Sequence, residues 1–555
     1  MQLSTLIAML RQRMNSTILS LILNSLFWFT AFVVVTGGFD YQGSIWGHSV
    51  RLDATSPDLF VLLFLILLAV WHLLGRSLQE LRCIRIWGVA YSRLRSLGVR
   101  GLLVVLSLLG GIFVVVPLAR HFSFRTGYDL ALFAQAYWNT LQGDFLFSSL
   151  KGGMAIWGDH FNPIVLGILP FYWLWPSPET LLVLQSLALV AGALPLYSLA
   201  KRELTDEGPA VFITLAYLAY LPLRQMNSFD FHPIAFATPL VLAAFYFMRK
   251  EAFGRFLLCC LLVGATKETG PIAVGLLGAA CFFLSPKRWL GAVVALASVL
   301  WFFVNLAVVM PAFNPSGVAT QLDRYAYLGN DPAEILRTLL TRPLYVLSEN
   351  LSSRELFYPV RILGPVAFLP LLTPVGLLAL PYLMINLLES SGVQVWLVHY
   401  QAELTAFVFI ATVFGARRVV QARSGRHLAA VLTGGAFLFF GTSDLYQLRE
   451  AMPTEDTRRI HAALDVLPTA GRVSAQAAIA PHLTQRKWLY FFPEVSEAEW
   501  VIVDHQLDPW PVDPHRFTRT VKRLKRVGFQ PDFENGATQI FRQTGKAIPK
   551  RKRSR

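Results

Sequence analysis

Residues 101–118 read GLLVVLSLLGGIFVVVPL, a run of eighteen residues without a charged side chain. A helix of this length is about 27 Å long, close to the roughly 30 Å hydrocarbon thickness of a bilayer. The whole chain agrees with this, because 54% of its residues are hydrophobic and only 15% are charged. Soluble domains carry about 25% charged residues. The sequence therefore predicts an all-α polytopic membrane protein.

Twelve further apolar runs have the composition of a membrane span, which gives about 13 spanning helices in all. They are residues 16–36, 58–75, 179–200, 208–224, 232–248, 255–268, 270–284, 288–310, 358–372, 374–390, 403–416 and 427–441.

The distribution of basic residues orients these spans, because loops rich in lysine and arginine stay in the cytoplasm. The stretch from Arg76 to Arg100 contains a single acid, Glu80. Between its two terminal arginines lie four more, at positions 82, 85, 93 and 95. All later basic clusters also fall inside if the apolar run 161–176 begins and ends on the outer side as a dipping helix. This assignment of the basic loops predicts that the N-terminus lies in the cytoplasm and the C-terminal domain outside the plasma (inner) membrane.

The charge pattern also bears on partners and on domain boundaries. The net charge of +15 does not indicate nucleic acid, because the positive residues flank apolar spans. The basic tail 546–555 is expected to be a disordered solvated end or to contact anionic membrane lipids. The preceding units are 1–100, a pair of transmembrane helices with a basic cytoplasmic loop, and 101–441, the transmembrane core with outer loop 119–160.

Residues 442–545 differ in pattern from the rest of the chain and predict a small external α/β domain. We interpret it as a lid or a partner-docking module. Its expected helices and strands are 454–467, Arg472–Ala475, Trp488–Phe491, Trp500–Val503 and 514–527.

Candidate functional residues gather in the segments assigned to the outer face. Asp129 precedes the helical pattern 130–141, whose aromatic residues favour an interfacial helix. The aspartate is either an ordinary N-cap or an acid that acts as general base or metal ligand. Asp159–His160 and Asp230–His232 both lie before apolar helices on the same side.

Lys267 and Glu268 interrupt a run that is otherwise apolar from Phe256 to Leu284. Ionisable groups at membrane depth face a cavity or pair with each other, so the two residues form either a self-compensating ion pair or part of a site. In a site, Lys267 would neutralise a lipid phosphate, and Glu268 would orient it or help to hold a metal. His399 and Tyr400 lie in another outer turn and are candidate substrate-binding residues with Asp159, Asp230 and Glu268.

Several of these segments carry a resemblance to a family of bacterial membrane proteins, domain of unknown function 2079, over about Tyr128–Asp504. The matching stretches are YDLALFAQAYWNTLQG, HFNPI, WPSPETLLVLQSLALVAGALPLYSLAKR, DFHPIAFA, TKETGPIAV, LALPYLMINLL with VHY, and PHLTQRKWLYFFPE.

That family is in turn similar to the GT-C superfamily of lipid-linked-sugar glycosyltransferases. The resemblance implies a GT-C-like fold and transfer of a sugar from a polyprenyl-phosphate donor to an unknown acceptor on the outer face. It makes Asp129 the base or metal ligand, and Lys267 with His160 or His232 the groups that stabilise the departing phosphate. A metal, where used, would be magnesium or manganese, with Asp129 and Glu268 as ligands.

Two other functions remain open from the sequence. A transporter or lipid flippase would use the same acids and histidines to relay protons or bind substrate. A non-catalytic membrane protein would only present the C-terminal domain.

Overall fold

The computed structural model describes most of the chain. The described residues are 16–36, 40–45, 48–53, 63, 67, 71, 81–204, 207–314, 324–330, 332–350, 353–390, 398–421, 448 and 451–544. The expected spans 58–75 and 427–441 and the basic tail 546–555 lie almost entirely outside these residues.

The described part is mostly helical. Its α-helices are α1 (Ser16–Thr36), α2 (Arg82–Phe122), α3 (Tyr128–Leu141), α4 (Val165–Leu174), α5 (Pro178–Ala191), α6 (Ala193–Glu203), α7 (Glu207–Ala219), α8 (Leu221–Ser228), α9 (Ala237–Arg249), α10 (Phe253–Gly264), α11 (Gly270–Leu284), α12 (Arg288–Val304), α13 (Met310–Phe313), α14 (Pro332–Thr341), α15 (Pro343–Glu349), α16 (Ser353–Leu363), α17 (Leu380–Leu387), α18 (Ala402–Gln421), α19 (Glu455–Leu464) and α20 (Pro514–Leu524).

Three helical stretches of the described chain are long and apolar enough to cross a bilayer, namely Val99–Phe122, Pro178–Glu203 and Arg288–Phe313. Seven further apolar helices have 10–17 residues. The number of crossings and their orientation therefore stay predictions. Helix α4 is one of the short ones, and its ten residues span only about 15 Å. That length suits a segment that enters and leaves the membrane on one side.

The predicted span 358–372 is interrupted, whereas the predicted span 374–390 corresponds in part to the apolar helical stretch Pro374–Leu387. Helix α16 ends at Leu363, and the chain continues through short 3₁₀ turns until α17 begins at Leu380. Prolines explain the difference, because each removes a backbone N–H and clashes with the preceding turn. This segment contains them at Pro365, Pro370 and Pro374.

Helices α11 and α12 pack backbone to backbone through glycines. A Cβ atom on Gly278 would lie 2.6 Å from the backbone nitrogen of Ala295, and one on Gly291 would collide with the backbone of Phe282. Small residues allow membrane helices this close approach. The contact fixes α11, which begins two residues after Glu268.

The strands form one sheet and two hairpins. The strands are β1 (Asp40–Ile45), β2 (His48–Asp53), β3 (Phe147–Ser148), β4 (Met154–Ala155), β5 (Val473–Ala475), β6 (Leu489–Phe491), β7 (Trp500–Asp504), β8 (Phe529–Asn535) and β9 (Thr538–Gln543). The antiparallel hairpin β1–β2 was not expected from the sequence.

The C-terminal sheet has the strand order β6-β5-β7-β9-β8. Strand β5 is parallel to both β6 and β7, whereas β9 is antiparallel to β7 and β8. Helix α20 packs on this sheet through Phe517, Val521 and Leu524. The segment is thus a small α/β unit, with two strands more than the sequence pattern predicts.

The C-terminal unit and the loop after α2 share one hydrophobic core. Leu130, Phe133 and Tyr137 of α3 belong to the same buried cluster as Ile460, Ile502 and Ile540. Nine residues of α3, on all of its faces, are buried. A helix that is apolar all round is enclosed by protein. The expected interfacial helix is therefore an internal one, covered by the last hundred residues of the chain.

Three histidines join the end of α2 to the C-terminal unit. The rings of His121 and His482 are stacked with centroids 4.1 Å apart, and His482 Nε2 lies 3.1 Å from the carbonyl oxygen of His121. His461 Nε2 donates to the carbonyl oxygen of Phe122 at 3.0 Å. Burial, reinforced by His121 and His461, holds the pKa of His482 well below its ordinary value. His482 is therefore neutral in the docked state.

We expect the docking of the C-terminal unit to weaken as the pH falls below about 6.5. An undocked His482 takes up a proton there while the docked one does not, so protons favour the undocked state. Limited proteolysis of the purified protein between pH 8 and pH 5 measures this. The His482→Gln variant keeps an N–H donor but does not titrate, so its cleavage should depend less on pH. An unchanged pH dependence in that variant would refute the assignment.

Candidate functional site

A cavity of about 280 Å³ lies where five separate segments of the outer-face assignment meet. These segments are the start of α3, the loop before α4, the turn after Asp230, the α10–α11 turn and the 3₁₀ turn before α18; Arg324 adds a sixth. Its lining residues are Tyr128, Asp129, Leu132, Phe133, Lys151, Asp159, His160, Asn162, His232, Pro233, Ile234, Thr266, Lys267, Arg324, His399 and Tyr400.

The first turn of α3 is capped by a residue from another segment. The carboxylate of Asp230 accepts the backbone N–H groups of Gly127 at 2.9 Å, Asp129 at 3.0 Å and Leu130 at 3.3 Å. A carboxylate also suits the positive end of the helix dipole. Burial and the nearby Asp129 charge nevertheless raise the pKa of Asp230. The helix begins at Tyr128, so Asp129 is not its cap and its side chain points into the cavity.

Asp129 forms a pair with His232, whose Nε2 lies 3.3 Å from Asp129 Oδ2. The other ring nitrogen, Nδ1, lies 3.0 Å from the carbonyl oxygen of Asp230. A carbonyl only accepts, so Nδ1 carries a proton. If Nε2 carried no proton, it and the Asp129 carboxylate would be two hydrogen-bond acceptors in contact. The two side chains therefore share one further proton. Burial acts to raise the pKa of Asp129, but the nearby His232, His160 and Lys151 together hold that pKa below its ordinary value.

His399 lies against this pair. Its ring stacks on His232 with centroids 3.5 Å apart, and its buried Nδ1 has no hydrogen-bond partner. Burial, followed by the charges of His232 and Lys267, holds the pKa of His399 well below its ordinary value. A neutral imidazole with an unused polar atom is therefore available beside the Asp129–His232 pair.

Two further clusters of ionisable side chains lie at the cavity, namely His160 with Glu268 and Lys267, and Lys151 with Asp159. His160 Nδ1 lies 3.0 Å from Glu268 Oε1, and Lys267 Nζ lies 3.9 Å from the same oxygen. Lys151 Nζ contacts Asp159 Oδ2 at 3.0 Å. Glu268 therefore positions His160 and Lys267 through one carboxylate oxygen.

Arg324 and Lys151 are the cavity residues that the sequence reasoning missed. Arg324 donates to the Tyr400 hydroxyl at 2.9 Å and faces Glu389 at 3.6 Å. The Tyr400 ring lies 5.2 Å from Arg324 Cζ and 5.6 Å from Lys267 Nζ. Lys151 is the only lysine of loop 119–160, and this position in the loop that opens with Asp129 is a signal that could have found it.

The sequence matches the model of one protein family, described as "Predicted membrane protein (DUF2079)", over residues 120–534. The chain belongs to this family. The membership predicted from its motifs is thereby confirmed.

Two solved structures are similar to this DUF2079 protein. One is the crystal structure of ArnT from Cupriavidus metallidurans bound to undecaprenyl phosphate, with 11% identity, coverage of 82% of this chain and 100% of that chain, and a TM-score of 0.49. The other is ArnT from Cupriavidus metallidurans in the apo state, with 12% identity, coverage of 77% and 96%, and a TM-score of 0.44. No curated protein matches the sequence.

Of the nine side chains proposed from the sequence of this DUF2079 protein, seven line the cavity and two lie outside its lining. Asp230 is engaged by the backbone of α3, and Glu268 lies behind His160 and Lys267. The seven lining residues are Asp129, Asp159, His160, His232, Lys267, His399 and Tyr400.

The two metal ligands predicted from the sequence do not face the cavity together, because Asp129 lines it and Glu268 lies behind His160 and Lys267. No group of three or more histidine, cysteine, aspartate or glutamate side chains in the described part is arranged to hold a metal ion. Magnesium in proteins is usually bound by one or two carboxylates together with waters and substrate phosphates. A magnesium or manganese ion at Asp129 therefore stays a prediction.

Proposed function

We propose that this protein is a GT-C-type membrane glycosyltransferase. It transfers a sugar from a polyprenyl-phosphate donor to an acceptor hydroxyl on the outer face of the membrane. One observation carries the proposal: the Asp129–His232 pair faces the same small cavity as three permanent cations, Lys151, Lys267 and Arg324.

The cations match the donor's phosphate. A phosphodiester bears one negative charge, and departure of the sugar leaves a phosphate monoester with a second one. Preorganised positive charges stabilise such developing charge most where water is excluded. Lys267 is 15% exposed and its partner Glu268 is 4% exposed, so this charge acts in a largely dry wall.

The carboxylate of Asp129 serves as general base. It takes the proton from the acceptor hydroxyl while the acceptor oxygen bonds to the anomeric carbon. The bond between that carbon and the phosphate oxygen breaks, and its electron pair leaves with the polyprenyl phosphate. His232, anchored by the Asp230 carbonyl, holds Asp129 in place, and its proximity helps to lower the pKa of Asp129 so that the carboxylate is ionised.

The decisive experiment measures transfer and binding separately. Purified protein is incubated with a panel of radiolabelled polyprenyl-phosphate sugars and a crude envelope fraction as acceptor, with and without EDTA. We expect the labelled sugar to be transferred from at least one donor. We also expect the protein to bind the corresponding polyprenyl phosphates that carry no sugar. Failure of the folded protein to bind any polyprenyl phosphate would overturn the proposal.

The EDTA arm tests the proposed magnesium or manganese requirement. Loss of transfer on chelation, with recovery on addition of either ion, would support the metal. Transfer that continues in EDTA would agree with the pairing of all three acids to cations. Binding without transfer, together with movement of the lipid across proteoliposome membranes, would instead identify a flippase.

A further inference from the structure

A second and larger cavity, of about 550 Å³, lies between the first outer loop and the C-terminal unit. It is separate from the cation-lined cavity, and Tyr128 is the one residue that lines both. One wall is built by Arg120, by residues 123–128 and by Phe229 and Asp230. Its opposite wall is built by α19 and by the segment after β7.

The chemistry of this second cavity differs from that of the first. Trp510 lines it and is 59% exposed, so a large aromatic surface is open to a ligand. Asp508, Gln506 and Asp456 add carboxylate and amide groups close by. Arg125 is the exposed basic residue of the lining, so no cluster of exposed cations favours a phosphate here.

An exposed indole with neighbouring carboxylate and amide groups suits a hydroxylated ring. The apolar C–H face of a sugar packs on an aromatic face, while its hydroxyls donate to carboxylates and exchange hydrogen bonds with amides. A cavity with one apolar wall and a few polar groups is the usual form of a small-molecule site.

The two cavities share the first turn of α3 as a partition. Asp129 faces the first cavity, and Asp230, which holds the backbone of that turn, lines the second. The two cavities therefore adjoin at Tyr128, the residue before Asp129. Tyr128 itself is stacked on Phe491 of the C-terminal sheet with ring centroids 4.4 Å apart.

We propose that the second cavity binds the acceptor, a saccharide without strong negative charge that stacks on Trp510. The role of this saccharide as acceptor rests on the proposed function, whereas its binding to the second cavity does not. The hydroxyl that reaches past Tyr128 would lose its proton to Asp129 as its oxygen bonds to the anomeric carbon. The C-terminal unit is then a substrate-binding element of the enzyme.

The test uses binding alone, so that it does not depend on turnover. Saturation-transfer NMR is recorded on the full-length purified protein with a mixture of the methyl glycosides of glucose, galactose, mannose and N-acetylglucosamine. We expect a saturation-transfer signal from at least one glycoside. This signal should be at least fivefold weaker in Trp510→Ala and should be retained in Trp510→Phe. The matched control is Trp488→Ala, which removes a 39% exposed tryptophan that lines a different cavity.

Three outcomes would overturn the site. The first is no saturation transfer to any glycoside by the native protein, and the second is equal saturation transfer in Trp510→Ala and Trp488→Ala. Loss of the signal in Lys267→Met would place the glycoside in the first cavity and also contradict the proposal. Failure of the glycosyltransferase assignment appears elsewhere, as absence of polyprenyl-phosphate binding, and leaves the Trp510 comparison intact.

Discussion

Replacing Asp129 with asparagine is expected to reduce sugar transfer by roughly 10²–10⁴-fold, the usual contribution of a general base. The amide has almost the same shape as the carboxylate, but it cannot accept the acceptor's proton. Initial rates with the radiolabelled donor identified above measure the effect. Binding of polyprenyl phosphate should survive, because the cations remain.

Asp144→Asn is the matched control for this change. Asp144 lies in the same outer loop, is 38% exposed and pairs with Lys487 at 2.8 Å, away from the cavity lining. We expect its transfer rate to equal that of the native protein. Native rates in Asp129→Asn would remove Asp129 from the chemistry. Equal losses in both variants would point to a defect in the loop rather than in the base.

Replacing Lys267 with methionine is expected to weaken binding of polyprenyl phosphate by about 10- to 100-fold. A hydrogen bond to a charged group contributes about 1.5–3 kcal/mol, and removal also leaves Glu268 with less compensation. Methionine retains the length of the side chain without its charge. Equilibrium binding of a fluorescent polyprenyl phosphate measures the change, and Lys267→Arg should recover part of the affinity.

Lys487→Met controls for the loss of one positive charge from the protein. Lys487 is 46% exposed and contacts Asp144, so its removal alters net charge without altering the cavity. Its affinity should match that of the native protein. A Lys267→Met variant that binds as tightly as this control would show that Lys267 does not meet the phosphate.

The sequence carried enough information to gather the site, because topology alone decides which loops share a face. Basic clusters predict the cytoplasmic loops, and the remaining turns, with Asp129, His232, Lys267 and His399, are thereby predicted to lie together on the other side. The sequence did not predict which of these side chains contact each other. That His232 faces Asp129, while His160 faces Glu268, depends on the depth and rotation of helices from distant parts of the chain.

The missed elements have local reasons. Strand β8 reads FQPDFEN, with a proline and mostly polar residues, so it has no apolar alternation to indicate a strand. It lies at the edge of the sheet, where proline is tolerated. The enclosure of α3 could not be predicted either. Its aromatic residues suit a membrane surface as well as a protein interior, and its cover lies more than three hundred residues later in the sequence.

That shared core has a consequence for how the protein is made. Helix α3 leaves the ribosome long before the strands that cover it, by about 17–80 s at a synthesis rate of about 5–20 residues per second. During that interval its apolar faces lack their final partners, and the turn that bears Asp129 lacks its outer support. A chain truncated before residue 451 would keep the contacts of Asp230 with the first turn of α3 but would leave the apolar faces of this helix uncovered. Completion of the last hundred residues therefore completes the core that surrounds the candidate site.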